Sequence, residues 1–342
     1  MEKIRIGVLG PSDIAMRRMV PSLKNCKQIE YAGVAAAFEN ERTADPSGSD
    51  ESCLGNVLPA SMEKARKFEE NFGGKIVCGY DNMLASDMFD AVYIALPPAL
   101  HYTWAKRALE AGKHVLLEKP FTTCHADTKD LIDTARRKGL AVAENFAFRY
   151  HRQIGKITEI IDSGVIGDIR VIRSNFAFPF RGGGDFRYHK AAGGGALLDC
   201  GCYTLKMASI LLNDELKIRD HVSVSAEGYD VDMYGAITAE GACGQIVQLS
   251  FGMDQQYNCD LEIWGSRGCI RSPRIYTAPP GMDVELLLTS GMEKSSIAVG
   301  ADDQFANSAE EFGYMIKDDK KREDSYGDII RQSLLMEQCM AG

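Results

Sequence analysis

The chain is expected to fold as an α/β protein in which a doubly wound parallel sheet is followed by an α+β domain with a mostly antiparallel, open sheet. Through the first 145 residues, short apolar runs alternate with helix-period segments, the pattern of βαβ units. A glycine turn sits between the first run and the first helix. From about residue 150 strand-like runs gather without intervening helices.

In the first part, Ile4–Leu9, Ile29–Ala36, Ala91–Leu96, His114–Leu117 and Leu140–Asn145 read as buried strands. Ile14–Lys24, with Asp13 as N-cap, and Ser61–Phe72, Ala99–Ala111 and His125–Lys138 read as helices. Residues 38–60, rich in Ser, Gly, Pro, Asp and Glu, interrupt the rhythm as a surface insertion. The second part has a helix at Arg152–Ser163 and a strand at Ile169–Phe178, then a glycine-rich loop leading into another helix. Strands follow at Val222–Ala226, Ala236–Ala239, Gln245–Phe251, Cys259–Trp264 and Cys269–Arg271. The resulting division is 1–145, 146–325, and a last helix in 326–342 that packs back on the body.

Composition narrows the function. The 342 residues are 45% hydrophobic and 25% charged, an ordinary globular balance. A net charge of −9 argues against nucleic acid as partner. No apolar stretch of about 18 residues predicts a membrane span, and the chain enters its first strand without a signal-peptide core, so a cytoplasmic location is expected. Ten scattered cysteines include no Cys-x-x-Cys pair, so no metal site is expected. Residues 149–190 hold eight Lys/Arg against four Asp/Glu, a local excess suited to an anionic substrate.

Gly10-Pro11-Ser12-Asp13-Ile14-Ala15 follows the first strand and matches the Rossmann turn G-x-G-x-x-G/A, with Ser12 in place of the second glycine. The helix N-terminus offers free N–H groups and a positive dipole end to a pyrophosphate, and Ser12 can donate to it. Gly10, Ser12, Asp13 and Ile14 are therefore cofactor candidates. An NAD-binding strand two ends in an acid for the ribose hydroxyl; here it ends Ala35-Ala36-Ala37 unless Glu39 supplies the carboxylate. Ala37 faces that position, and the missing acid favours NADP over NAD, with Arg42 as a candidate for the 2′-phosphate. Glu118-Lys119-Pro120 closes His114–Leu117 at a strand C-terminus, where such sheets bind ligands.

These residues, with HVLLEKP (His114–Pro120) and GGGALLDCGCY (Gly193–Tyr203), resemble the glucose–fructose oxidoreductase and inositol dehydrogenase family (Gfo/Idh/MocA) over nearly the whole chain. The resemblance implies a nicotinamide-dependent oxidoreductase with catalytic roles at Lys119, Asp199 and Tyr203. Many members carry His at the last position; the Tyr-bearing branch includes dihydrodiol dehydrogenase and deoxysugar ketoreductases. It also implies cofactor contacts at Leu96, Pro97 and His101, with Glu118 and Asn145 as further candidates, and subunits paired through the open sheet face as homodimer or homotetramer. Asp199 and Tyr203 are four apart, hence on one helix face. A phenol beside a lysine ammonium serves as general acid in reduction and base in oxidation. The three glycines before this helix permit close approach of backbone to ligand.

MRRMVPSLK (Met16–Lys24), ENFAFRYH (Glu144–His151), GDFRYHKAAGGGALLDCGCY and LSFGMDQQY (Leu249–Tyr257) look most like NDP-sugar 3-ketoreductases. Arg181, Arg187 and Tyr188 are then substrate candidates, Arg187 alternatively fixing its loop through an ion pair. A catabolic aldose, polyol or dihydrodiol dehydrogenase is the alternative reading, and a non-catalytic nucleotide-sensing regulator is the alternative of another class.

Overall fold

The computed structural model describes residues 2–42, 57–213 and 216–341. The core of the 38–60 insertion, residues 43–56, lies outside the described residues, as does the backbone-independent detail of Arg42. The chain forms two compact units, residues 1–145 with 305–330, and residues 146–304 with 331–342.

The first unit is a six-stranded parallel sheet. Its strands are β1 (Ile4–Leu9), β2 (Ile29–Ala36), β3 (Lys75–Cys78), β4 (Ala91–Ile94), β5 (His114–Leu117) and β6 (Val142–Glu144), in the order β3-β2-β1-β4-β5-β6. β-strand side chains alternate between faces, and the two faces fill two cores. Ile6, Val8, Ala91 and Tyr93 pack with helices α1 (Val20–Leu23) and α2 (Pro59–Phe72), and with Ala309 and Phe312 of α8 (Gln304–Lys317). Val92, Ile94, Val115 and Leu117 pack with α3 (Tyr80–Ala85), α4 (His101–Glu110) and α5 (His125–Lys138). Tyr326 and Ile329, from the start of the final helix α9 (Asp319–Ala341), join this second core. Residues 305–325, expected in the second domain, thus cluster with the parallel sheet, and so do residues 326–330 of the final helix.

The first helix differs from expectation at its start. A π-helical turn, Ala15–Met19, precedes α1. Asp13 makes no capping bond; Ser12 Oγ instead accepts from the Ala15 amide at 3.3 Å. β3 escaped the sequence reading because it is a four-residue strand with no fully buried side chain, and α3 because six residues hold too little period. An isolated antiparallel bridge pairs Phe38 with Val57 at the two ends of the insertion.

The second unit is built on an eight-stranded sheet of β7 (Ile169–Ala177), β8 (Leu216–Ser225), β9 (Asp232–Gly241), β10 (Ile246–Gly252), β11 (Asn258–Gly265), β12 (Gly268–Ser272), β13 (Val284–Ser290) and β14 (Glu293–Gly300). The order is β14-β13-β12-β11-β7-β10-β9-β8, antiparallel throughout except for β7 with β10. One face buries Ile172, Leu249, Phe251, Leu261 and Ile263 against α6 (Arg152–Asp162), α7 (Cys202–Leu211) and the end of α9. The other face is open, with Val222, Tyr234, Ile246, Trp264 and Leu287 exposed. Among the described residues no helix is long and apolar enough to cross a membrane.

The three glycines ahead of α7 serve the chain itself. A Cβ on Gly194 would lie 2.3 Å from the Arg187 carbonyl oxygen, and Gly195, at φ +124°, donates its amide to that same oxygen at 2.9 Å. The close approach seen here is of backbone to backbone. Gly194→Ala is expected to destabilise the fold by about 1–3 kcal/mol, because rigid backbone must yield; urea unfolding of the two proteins measures it, and an unchanged midpoint would show that the loop relaxes freely.

Candidate active site

In the first unit, the sheet order reverses between β1 and β4, and such a switch point opens a ligand crevice at the strand C-termini. Gly10 lies there at φ +87°, and a Cβ on it would meet Leu96 Cδ2 at 2.6 Å and Tyr80 Oη at 2.8 Å. Only glycine fits both the conformation and the space. Ser12 spends an oxygen lone pair on the Ala15 amide and keeps its O–H to donate. Ile14, Leu96 and Pro97 are half-buried at the same end of the sheet, and Asp13 is exposed.

Glu39, the acid nearest the end of β2 and the candidate for the ribose hydroxyl, is exposed, whereas the next acid turns inward. Glu41 is 4% exposed, and its carboxylate accepts from the amides of Phe38 at 2.7 Å and Tyr80 at 2.6 Å. Burial raises its pKa against the pull of those amides. Ala37, expected to face the cofactor, is buried, its amide donating to Ser61 Oγ at 2.9 Å and its carbonyl accepting from Leu58. The turn at Gly10, the Ser12 hydroxyl and the helix start after them fit a dinucleotide.

Lys119 follows β5 and is half-buried, joined to Pro120 by a cis peptide bond. His101, expected at the cofactor, is instead wholly buried. Its ring nitrogens lie 2.8 Å from the carbonyl oxygens of Pro120 and Leu96. It thus ties the residue after Lys119 to the loop after β4. Burial pushes this imidazole down to about 4, so the neutral ring donates to one carbonyl only. Glu118 accepts from Tyr93 Oη at 2.5 Å and from Asn145 Nδ2 at 2.6 Å, and burial raises its pKa. Asn145, also expected to reach the cofactor, is 2% exposed; its oxygen accepts from Ser308 at 2.7 Å, so the amide serves to hold Glu118. Tyr93 and Ser308 were invisible to sequence reasoning, the first inside a uniform apolar run and the second far away in the chain.

In the second unit, Asp199 lies in a π-helical turn, Leu197–Gly201, that runs into α7, and Tyr203 in the first turn of α7. π turns are rare and recur at functional sites. Asp232, at the start of β9, accepts from the Leu197 amide at 2.7 Å and so caps this helix from 35 residues away, a contact without local sequence signal. Phe146, Phe148, Phe176 and Tyr276 surround the half-buried Tyr203 ring, at centroid distances of 5.4, 5.6, 5.0 and 5.5 Å.

Arg187 takes the ion-pair course. Its Nε donates to Asp199 Oδ2 at 2.8 Å, and its terminal nitrogen to Asp185 at 3.0 Å. Burial opposes the guanidinium charge, but the two carboxylates outweigh it and raise the pKa above its ordinary value. Tyr188, expected at the substrate, is 1% exposed, its hydroxyl accepting from the Arg181 amide and donating to the Met253 carbonyl, both at 3.0 Å; it is a core residue that pins the loop. Arg181 is exposed, its guanidinium 4.2 Å from the Phe178 ring centroid.

Residues 4–146 match the GFO_IDH_MocA oxidoreductase family, NAD-binding Rossmann fold, and residues 154–271 match the GFO/IDH/MocA C-terminal domain. The chain belongs to the Gfo/Idh/MocA family. This Gfo/Idh/MocA protein is an NAD(P)-dependent oxidoreductase. It is 42% identical over 279 residues to a dTDP-3,4-didehydro-2,6-dideoxy-α-D-glucose 3-reductase of Streptomyces violaceoruber, covering 81% of this chain and 75% of that protein. A reductase of the same name from Actinomadura kijaniata is 34% identical over 339 residues, 99% of this chain and 95% of the relative. The crystal structure of KijD10, a 3-ketoreductase from Actinomadura kijaniata, in complex with NADP and TDP-benzene, superposes with a TM-score of 0.89 at 33% identity, covering 100% of this chain and 98% of that one.

His101 and His114, each pushed down to about 4 mainly by burial, take up protons on unfolding near their ordinary value of 6.5. Their contribution is complete above about pH 6.5 and is lost as pH falls toward about 4. Urea unfolding of wild type and His101→Gln between pH 7 and 4 is expected to show a shallower loss in the variant; parallel curves would exclude His101 as a source of the pH dependence.

Proposed function

We propose that this enzyme reduces a 3-keto group on a nucleotide-linked deoxysugar, with NADPH favoured as reductant. The observation that carries this reading is the joint presence of Lys119 at the end of β5 and of Asp199 and Tyr203 on one helix start, in a chain that aligns over nearly its full length with sugar-nucleotide 3-reductases.

Bound NADPH supplies the hydride. Tyr203 donates its phenolic proton to the substrate carbonyl oxygen, completing the alcohol as C=O becomes CH–OH. The Lys119 ammonium stabilises the phenolate that remains. Asp199, fixed by Arg187, orients the lysine or a substrate hydroxyl. Gly10, Ser12, Asp13, Ile14, Leu96, Pro97 and Glu118 hold the cofactor, the first four at its pyrophosphate. Arg181 is the substrate-side cation; Arg187 acts one step removed, through Asp199. A nucleotide-sugar substrate and a need for NADPH suit a cytoplasmic location. The exposed apolar side chains on the open sheet face suit pairing into a homodimer or homotetramer.

Lys119→Ala and Tyr203→Phe are each expected to lower kcat with a dTDP-linked 3-keto sugar by about two to four orders of magnitude while NADPH affinity stays within a few-fold. Turnover near wild type in either variant, or equal kcat/KM on free and nucleotide-linked sugars, would defeat the reading. Trp264→Asp, placing a charge on the open face, is expected to lower the assembly state seen by sedimentation; an unchanged mass would put the interface elsewhere.

A further inference from the structure

The inward row of β7 reads Ile172, Ser174, Phe176, and all three are buried. A hydroxyl in such a row costs stability unless it is hydrogen-bonded. Ser174 Oγ donates to the Asp260 carbonyl at 3.0 Å and, its one proton committed there, accepts from Tyr276 Oη. Tyr276 is 1% exposed and lies in residues 273–283, which join β12 to β13 without regular structure. That segment is nevertheless held. The Tyr276 amide donates to Cys259 Sγ at 3.3 Å, and its carbonyl accepts from Gln304 Nε2 at 3.1 Å. The Ile275 carbonyl accepts from Gln153 Nε2 at 3.1 Å. Backbone and hydroxyl are thus fixed at opposite ends of the side chain, and the ring between them has no freedom to swing. Its centroid lies 5.5 Å from that of Tyr203, with the planes at 67°, an edge-to-face contact. Its other ring neighbours, Phe148 at 5.0 Å and Phe176 at 5.3 Å, also touch Tyr203.

We propose that Tyr276, tethered by Ser174, is a positioning residue that holds the Tyr203 ring at the angle from which its hydroxyl reaches the substrate carbonyl. Edge-to-face ring contacts fix orientation as well as burying area. A phenol oxygen sits at the far end of its side chain, so a small tilt of the ring moves it appreciably, and a misplacement of about 1 Å costs about a hundredfold in rate. Alanine and phenylalanine in place of Ser174 and Tyr276 would fill nearly the same space with no buried polar group, an exchange that is close to neutral for stability. Orientation of the neighbouring ring, rather than stability, therefore accounts for a polar pair at this place. The inference rests on the reading of Tyr203 as proton donor and adds what aims it.

The test is a single turnover of NADPH-loaded, full-length enzyme with a dTDP-linked 3-keto sugar, followed by the loss of NADPH absorbance. The rate constant reports the reaction step, and the amplitude reports the fraction of enzyme that is folded and loaded. Ser174→Ala with Tyr276→Phe removes the tether and keeps the ring; Tyr276→Leu removes the ring. The double variant is expected to lower the rate constant about three- to tenfold and Tyr276→Leu about ten- to hundredfold, both at wild-type amplitude. A wild-type rate constant in the double variant, at full or reduced amplitude, would overturn the proposal whatever Tyr276→Leu does, because a ring that needs no tether is ordinary packing. In a Tyr203→Phe background the same two substitutions are expected to change the remaining rate by less than about twofold. A further loss there as large as in wild type would overturn a route through Tyr203. If Tyr203→Phe alone transfers hydride at the wild-type rate, the proton-donor reading itself fails; if it is slow while the double variant is not, only the role of Tyr276 falls.

Discussion

The helix that carries Asp199 and Tyr203 begins where one half-buried guanidinium meets two carboxylates. Arg187, Asp185 and Asp199 are each tolerable away from water only because the others are present, and removing one leaves an uncompensated charge. That constraint shapes the surroundings. The 185–195 segment must fold back so that the Arg187 carbonyl receives the Gly195 amide. Glycine at 194 follows from the closeness of that return, and Asp232 meets the helix start from β9. The arginine therefore orders its loop through both ends: its side chain sets the carboxylate, and its carbonyl sets the glycine turn.

The first unit reaches similar order by a different route. Near Lys119 the buried polar groups are joined by hydrogen bonds rather than by an ion triad. Glu118 shares one oxygen between a phenol and an amide, the amide is held by Ser308, and His101 spans two carbonyls. Burial pushes Glu118 upward and His101 downward, both away from charge.

The parallel order, the open antiparallel sheet and the motif residues were legible because each rests on local pattern: an apolar run, a glycine at a turn, a spacing of four on a helix. Asn145, His101 and Ala37 lie at the strand ends where the sequence set them, but position along the chain does not say which way a side chain turns, and all three are buried. Asp232, Tyr93 and Ser308 are contributed across long sequence separations, where no period or motif marks them. β13 and β14 were missed because much of their length is half-buried or exposed, so neither shows a clean apolar alternation.

The bridge between Phe38 and Val57 brings the two ends of the insertion side by side at the edge of the first unit, and Glu41 fastens the outgoing end to α3. A segment that leaves and re-enters a fold at one point is weakly coupled to it in length, since doubling such a loop costs only about 0.6 kcal/mol in closure entropy. With Phe38 and Val57 held together, the strand order of the first unit is set independently of the length of chain that joins them.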